Sequence, residues 1–347
     1  MILNAYAVLD AFVSLLRLLV AMVVLTLGVT AWRRSSRTDV PNASTTSEAH
    51  YYLMFLLALL LMGLNVVSWP LLYLLLQSYV PEWSETMCIF GVTQVGLNSM
   101  GPARFLPHLI STLQVTKPAV VFLSGAWLVL HLCNRTIGSS SLKRCTYIVL
   151  IGQSLFAGID AAAESAYLGI PKKASLPSVG CCTVAPPHSL SLSPTLESEW
   201  FGIPSTPVLW SGYYLLNAGL IATLFLATIG HSPKLPAVSL KILLVAAGAI
   251  GVVSWLFLAE IAAPVMLHLP QHHCIYDLIS KVPEMNLGIG LHVFGIFSIG
   301  WANLVAWCGD SSDVKPVAQH WTQSLVRLAI HGYGGSIVMI SSGLLMA

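Results

Sequence analysis

Long apolar runs separated by short polar ones organise the whole chain. Crossing a bilayer takes roughly 20 mostly apolar residues in a helix. Eight stretches qualify, at about 5–32, 51–80, 118–133, 145–168, 208–230, 238–267, 287–307 and 324–346, the third short and the second long. Trp69-Pro70 inside the second predicts a kink, because proline removes a helical hydrogen bond and crowds the preceding turn. The pattern predicts an all-α fold, a polytopic transmembrane helical bundle of about eight helices, forming a single integral membrane domain over residues 1–347.

The loops between these runs alternate in charge. Arg33, Arg34, Arg37, Arg135, Lys143, Arg144, Lys234, Lys241, Lys315 and Arg327 form one set of ten. Arg104, Lys117, Lys172, Lys173 and Lys281 form the other set of five. Lys and Arg concentrate in cytoplasmic loops, so the larger set is placed inside and both termini are extracytoplasmic. The outer loops, about 81–117, 169–207 and 268–286, are long and rich in Pro, Ser and Gly, which predicts mostly irregular structure. Tryptophans near several predicted helix ends (Trp32, Trp69, Trp83, Trp200, Trp210, Trp307 and Trp321) fit an interfacial belt. The sequons at Asn42 and Asn134 fall on the cytoplasmic side of this map and are discounted.

Composition agrees with a lipid solvent. Only 9% of the residues are charged and 56% are hydrophobic, with a mean hydropathy of +0.79. Soluble domains carry roughly a quarter charged residues. The partner expected is therefore a lipid bilayer, that of a bacterial inner membrane or an equivalent one. The net charge of +2, without basic blocks, gives no footprint for nucleic acid. The apolar N-terminus holds Asp10 and Arg17 and lacks a basic leader region, so it reads as a retained first helix.

Chemistry-bearing residues gather in two places. Of seven cysteines, Cys133, Cys145 and Cys308 sit at inner helix ends, and Cys88, Cys181, Cys182 and Cys274 in outer loops. Cys88-Ile89-Phe90 and Cys274-Ile275-Tyr276 each follow an even-numbered helix, which suggests a degenerate internal repeat. In the third outer loop His272 and His273 precede Cys274, with Asp277 following. Imidazole and thiolate together suit copper or zinc. The candidate metal ligands are thus Cys88, Cys181, Cys182, His272, His273 and Cys274, with His108 and Met87 also within the outer loops. The same cysteines serve equally as two structural disulfides of an oxidising compartment. They also serve as the exchangeable thiols of a membrane thiol–disulfide oxidoreductase, although no C-x-x-C is present. A further reading is a non-catalytic subunit of a larger membrane complex, with other membrane subunits docking on pinned loops.

The second place lies inside the membrane. Arg17, Asp160, Glu164, Glu260 and His292 are ionisable residues in predicted spans. Asp160 and Glu164 are four apart and share a helix face. A lone charge there costs a few kcal/mol or more, so each needs a partner, a proton or a water cavity. Arg17 pairs with Asp160 or Glu260 across helices, or with Asp10 on its own helix. Alternatively, the carboxylates line an outward-open ion or proton path. His131, His292 and His331 raise a b-type haem, although a histidine hydrogen-bonded between helices is the favoured reading. Glycines 248, 251, 288, 290, 295, 332, 334 and 335 allow close helix approach. No Walker, dinucleotide, H-E-x-x-H or G-x-S-x-G motif is present, and no catalytic residue or substrate is assigned.

Overall fold

The computed structural model describes residues 4–35, 45–83, 86, 88–97, 99–137, 139–172, 205–229, 237–269, 272–311 and 313–347. Most of these are helical, with no strand among them. Among the described residues eight helices are long and apolar enough to cross a membrane, so the chain is an all-α, multi-pass membrane protein. Its contacts gather into two compact units, Met1–Val179 and Gly180–Ala347.

The first unit holds α1 (Ala5–Ser35), α2 (Thr45–Tyr79), the short α3 (Ile89–Gln94), α4 (Leu106–Ile137) and α5 (Ser140–Gly169). The four long helices close a ring: α1 packs on α2 and α5, and α4 packs on α2 and α5. Pro70 lies inside α2 and Pro118 inside α4. Apolar side chains turn outward from every long helix, as a lipid solvent requires: Phe12, Leu19, Val66, Val115 and Ile159 are all exposed.

The second unit repeats this order with α6 (Ser205–Ile229), α7 (Ala237–Phe257), the short α8 (Ala263–Met266) and α9 (Ile275–Lys281), α10 (Pro283–Cys308) and α11 (Lys315–Met346). Its ring is the same, with α6 on α7 and α11, and α10 on α7 and α11. In each unit a cysteine, Cys88 or Cys274, is the N-cap of a short helix set between the second and third long helices. The cysteine tripeptides thus occupy corresponding places in the helix order of the two units.

Two expectations for the outer loops need correction. The third span does not begin at Pro118, because α4 starts at Leu106 and runs on through Pro118. Leu106, Leu109, Ile110 and Leu113 recur at helical spacing, and Lys117 is buried rather than solvated. The stretch 81–117 is accordingly not mostly irregular: it contains a 3₁₀ turn at Val80–Glu82, α3, another turn at Pro102–Phe105, and the first third of α4. Likewise 268–286 contains α9 and the start of α10. Of the loop 169–207, residues 173–204 lie outside the described residues.

Between α7 and α8 the helix widens into a π turn over Leu258–Ala262, with Glu260 at its centre. A π turn shifts the hydrogen-bond register by one residue and is frequent at functional sites. Close packing in this unit comes from glycine. A Cβ on Gly332 would stand 2.9 Å from the Leu291 carbonyl oxygen and 3.0 Å from the Gly295 backbone, so α10 and α11 meet almost backbone to backbone.

Candidate functional site

The interior of the first unit is a closed network of charges. Arg17 on α1, Lys117 on α4, and Asp160 and Glu164 on α5 are all at most 3% exposed. Arg17 Nη2 donates to Asp160 Oδ2, and Nη1 donates to Glu164 Oε2 at 2.7 Å. Lys117 Nζ donates to Glu164 Oε1 at 2.9 Å and to Asp160 Oδ2 at 3.2 Å. Each cation therefore bridges both acids. The i, i+4 spacing of Asp160 and Glu164 sets the carboxylates one turn apart on the face that looks into the ring.

Neutral donors complete the set. Thr116 Oγ1 donates to Asp160 Oδ1 at 2.5 Å, and Ser14 Oγ to Glu164 Oε2 at 2.9 Å. Arg17 Nε reaches Asn65 Oδ1 at 3.1 Å, and Lys117 Nζ reaches Ser68 Oγ at 3.2 Å. Gln153 and Asn65 both donate to Ser124 Oγ, at 3.0 and 3.4 Å. All four long helices contribute. Such density of hydrogen bonds is what makes buried ions tolerable in a low-dielectric interior.

One acid stands apart from this balance. Asp10, about two turns before Arg17 on α1, is fully buried. Its carboxyl contacts that of Glu164 and lies within electrostatic reach of Lys117 and Arg17. Neither of its oxygens receives a hydrogen bond from a donor among the described residues. The cluster thus holds three acids against two cations, and two of the acids face each other.

The second unit has a different interior. Its ring contains Asn217, whose Nδ2 donates to Ser254 Oγ at 3.2 Å and to the Tyr213 carbonyl at 2.8 Å. Ser298, His292 and Ser336 are buried with it. His292 meets the Tyr333 ring edge-on, with centroids 5.0 Å apart. Within this unit Glu260 has a histidine beside it. Its Oε2 lies 3.2 Å from His273 Nδ1. That hydrogen-bonding contact raises the imidazole above its ordinary range, burial opposes the rise, and the Ala259 carbonyl of the same π turn adds to it. His272 Nε2 lies 2.9 Å from Asp277 Oδ2, which Lys281 Nζ also reaches at 3.0 Å. The two histidines thus face different carboxylates, as adjacent side chains in an extended segment must.

Among the described residues no group of three His, Cys, Asp or Glu side chains is placed to hold a metal ion. Cys88 and Cys274 are buried, and Cys181 and Cys182 lie outside the described residues. His131 stands among Phe55, Trp127 and Tyr51, with ring centroids at 4.6, 5.6 and 6.1 Å.

Reading the sequence alone placed Lys117 in a loop and so missed one of the two cations. The available signal was the apolar spacing from Leu106 to Leu113, which carries a helix straight into Thr116 and Lys117. No protein-family model, curated protein or solved structure matches the chain.

Proposed function

We propose that this membrane protein takes up and releases a proton inside its first helical unit, at the carboxyl pair Asp10–Glu164. The observation that carries the reading is the unbalanced acid. Arg17 and Lys117 neutralise Asp160 and Glu164, which leaves Asp10 buried with no donor and no cation of its own. Two carboxylates in contact repel, whereas a carboxylic acid donates to a carboxylate. One proton on the pair makes the cluster neutral and turns the Asp10–Glu164 contact into a hydrogen bond.

Charge also argues against a metal cation here. Any such ion would meet the fixed charges of Arg17 and Lys117, which already occupy the carboxylate oxygens. A proton needs no coordination shell and fits between two oxygens. The comparison between units argues that the network is more than scaffolding. The second unit closes the same ring around Asn217 and Ser254 with neutral hydrogen bonds, so the architecture does not require buried ions. Retaining them costs desolvation that a neutral interior avoids.

The test is infrared spectroscopy of the protein in lipid nanodiscs at neutral pH. A protonated carboxyl has a C=O stretch separate from that of carboxylate and shifts in D₂O. The band is expected in the wild type and absent in Asp10→Asn. A wild-type spectrum without it overturns the reading. The setting proposed is a bacterial inner membrane or an equivalent bilayer.

Copper or zinc at the outer Cys/His cluster keeps its support from the sequence, through His272, His273 and Cys274 together with Cys88, Cys181 and Cys182. Elemental analysis of purified protein decides it, and protein free of both metals counts against it. Thiol exchange by these cysteines and a role as a subunit among other membrane subunits rest on the same loops.

A further inference from the structure

The charge cluster of the first unit has one more ionisable neighbour, on the side where α2 and α5 end. Lys172 follows just after α5, and its side chain folds back until only 4% of the residue is exposed. Nζ donates to the Tyr167 carbonyl at 2.5 Å and to the Ile170 carbonyl at 3.4 Å. It also lies 4.3 Å from the centroid of the Tyr167 ring and 5.7 Å from that of Tyr79. Both tyrosines are buried. Asp10 lies within electrostatic reach of both phenol groups.

The elements around the amine therefore present Tyr167 from α5, Tyr79 from α2 and, beyond the two rings, Asp10 from α1. No carboxylate pairs with Lys172 among the described residues: its hydrogen bonds go to carbonyl groups and its remaining contacts are ring faces. An ammonium held this way is desolvated without a counter-charge, and burial brings the amine down to about 8. Such a lysine exchanges its proton readily, whereas arginine in its place stays protonated.

Resting on the proton reading of Asp10–Glu164, we propose that Lys172 is the group through which protons enter and leave that pair. The lysine ammonium gives up a proton by breaking an N–H bond. The proton is relayed by the hydroxyl of Tyr167 or Tyr79, which accepts one and releases its own. It forms the O–H bond of the Asp10 carboxylic acid. Amine and carboxyl both end neutral, total charge is conserved, and a proton from water restores the ammonium.

The experiment follows H/D exchange of the protonated carboxyl band after transfer of nanodiscs into D₂O. Lys172→Gln and Lys172→Arg are both expected to retain the band and to slow its exchange about a hundredfold or more, the lower end of the range for loss of a positioned acid–base group. The arginine variant keeps the charge and the donors, so a merely structural or electrostatic role leaves its rate near that of the wild type, and that result overturns the proposal. The wild type alone offers a second readout: its exchange rate is expected to change with pH around the lysine's titration, and a flat profile also overturns it. A wild-type spectrum without the band removes the proton reading itself, which is a different failure from normal exchange in the two variants.

Discussion

At the scale of single residues, the first unit separates two kinds of buried charge. Lys117 satisfies two carboxylates, so Lys117→Met leaves Asp160 and Glu164 with Arg17 as their one cation. Breaking a buried pair in this way costs about 3–5 kcal/mol. Asp10→Asn puts an amide donor where the acid's O–H faces Glu164 and removes no balanced charge, and is expected to change stability by less than about 1 kcal/mol. Thermal unfolding in detergent checks the contrast: a large loss of midpoint for Lys117→Met and a small one for Asp10→Asn. Equal losses would show that Asp10 is held by the same balance as the others.

His273 is the residue with a pH dependence whose sign follows from its surroundings. Glu260 holds the imidazole above its ordinary range, so the folded state binds its proton more tightly than the unfolded chain does. The stabilisation is fully present below the unfolded value of about 6.5 and is lost as pH rises through the higher folded value. Amide exchange at residues 272–274 is therefore expected to accelerate as pH rises through that range, beyond the intrinsic increase with hydroxide. Glu260→Gln removes the raised affinity and brings the acceleration to lower pH. An identical profile in that variant would sink the assignment.

At the scale of elements, much was legible because lipid imposes a simple rule. Residues facing acyl chains must be apolar over a full span, so the runs around α1, α2, α5, α6, α7, α10 and α11 stand out directly. The element that was misjudged is the one where this rule is broken from within. Lys117-Pro118 has the composition of a loop boundary, but the lysine faces two acids and the proline is accommodated inside α4. A single sequence shows the charge and the proline and does not show the carboxylates across the ring that neutralise it. For the same reason Arg17, Asp160 and Glu164 were recognisable as needing partners, while the two-cation arrangement was not. The contact of Glu260 with His273 was not legible either, because the π turn that presents it leaves no mark in hydrophobic spacing.

The α10–α11 contact gives the element scale its own prediction. The space for a Cβ at Gly332 is taken by the Leu291 carbonyl and the Gly295 backbone, neither of which can rotate away. Gly332→Ala is expected to force the helices apart and to cost about 1–3 kcal/mol, as overpacking does. Gly334, on the same helix, has nothing within 4 Å of the corresponding position. Gly334→Ala is therefore expected to be neutral or slightly stabilising, since alanine is the better helix former. Melting temperatures of the two variants side by side separate packing from helix propensity.

At the scale of the whole molecule, the repeat and the charge distribution bear on the same question of sidedness. Among the described residues each unit holds four helices long and apolar enough to cross a membrane; an even number of crossings in each is what the expectation of two extracytoplasmic termini requires. Moving Lys117 out of the outer set leaves Arg104, Lys172, Lys173 and Lys281, four residues, against the ten of the inner set. Because short loops rich in Lys and Arg stay in the cytoplasm, the revised count leaves the expectation of extracytoplasmic termini in place. On that expectation Lys172 and the Asp10 end of the charge cluster face the outer surface, where the proposed proton would enter. Small epitope tags at the N- and C-termini are expected to be reached by antibody from the extracytoplasmic side of sealed membranes, both of them. A tag inserted at residues 36–44 is expected to be reached only after permeabilisation. Termini found on opposite sides would mean an odd number of crossings. Both termini found inside would keep the eight spans but turn Lys172 toward the cytoplasm, so that any proton exchange by Asp10 would have to draw on the other compartment.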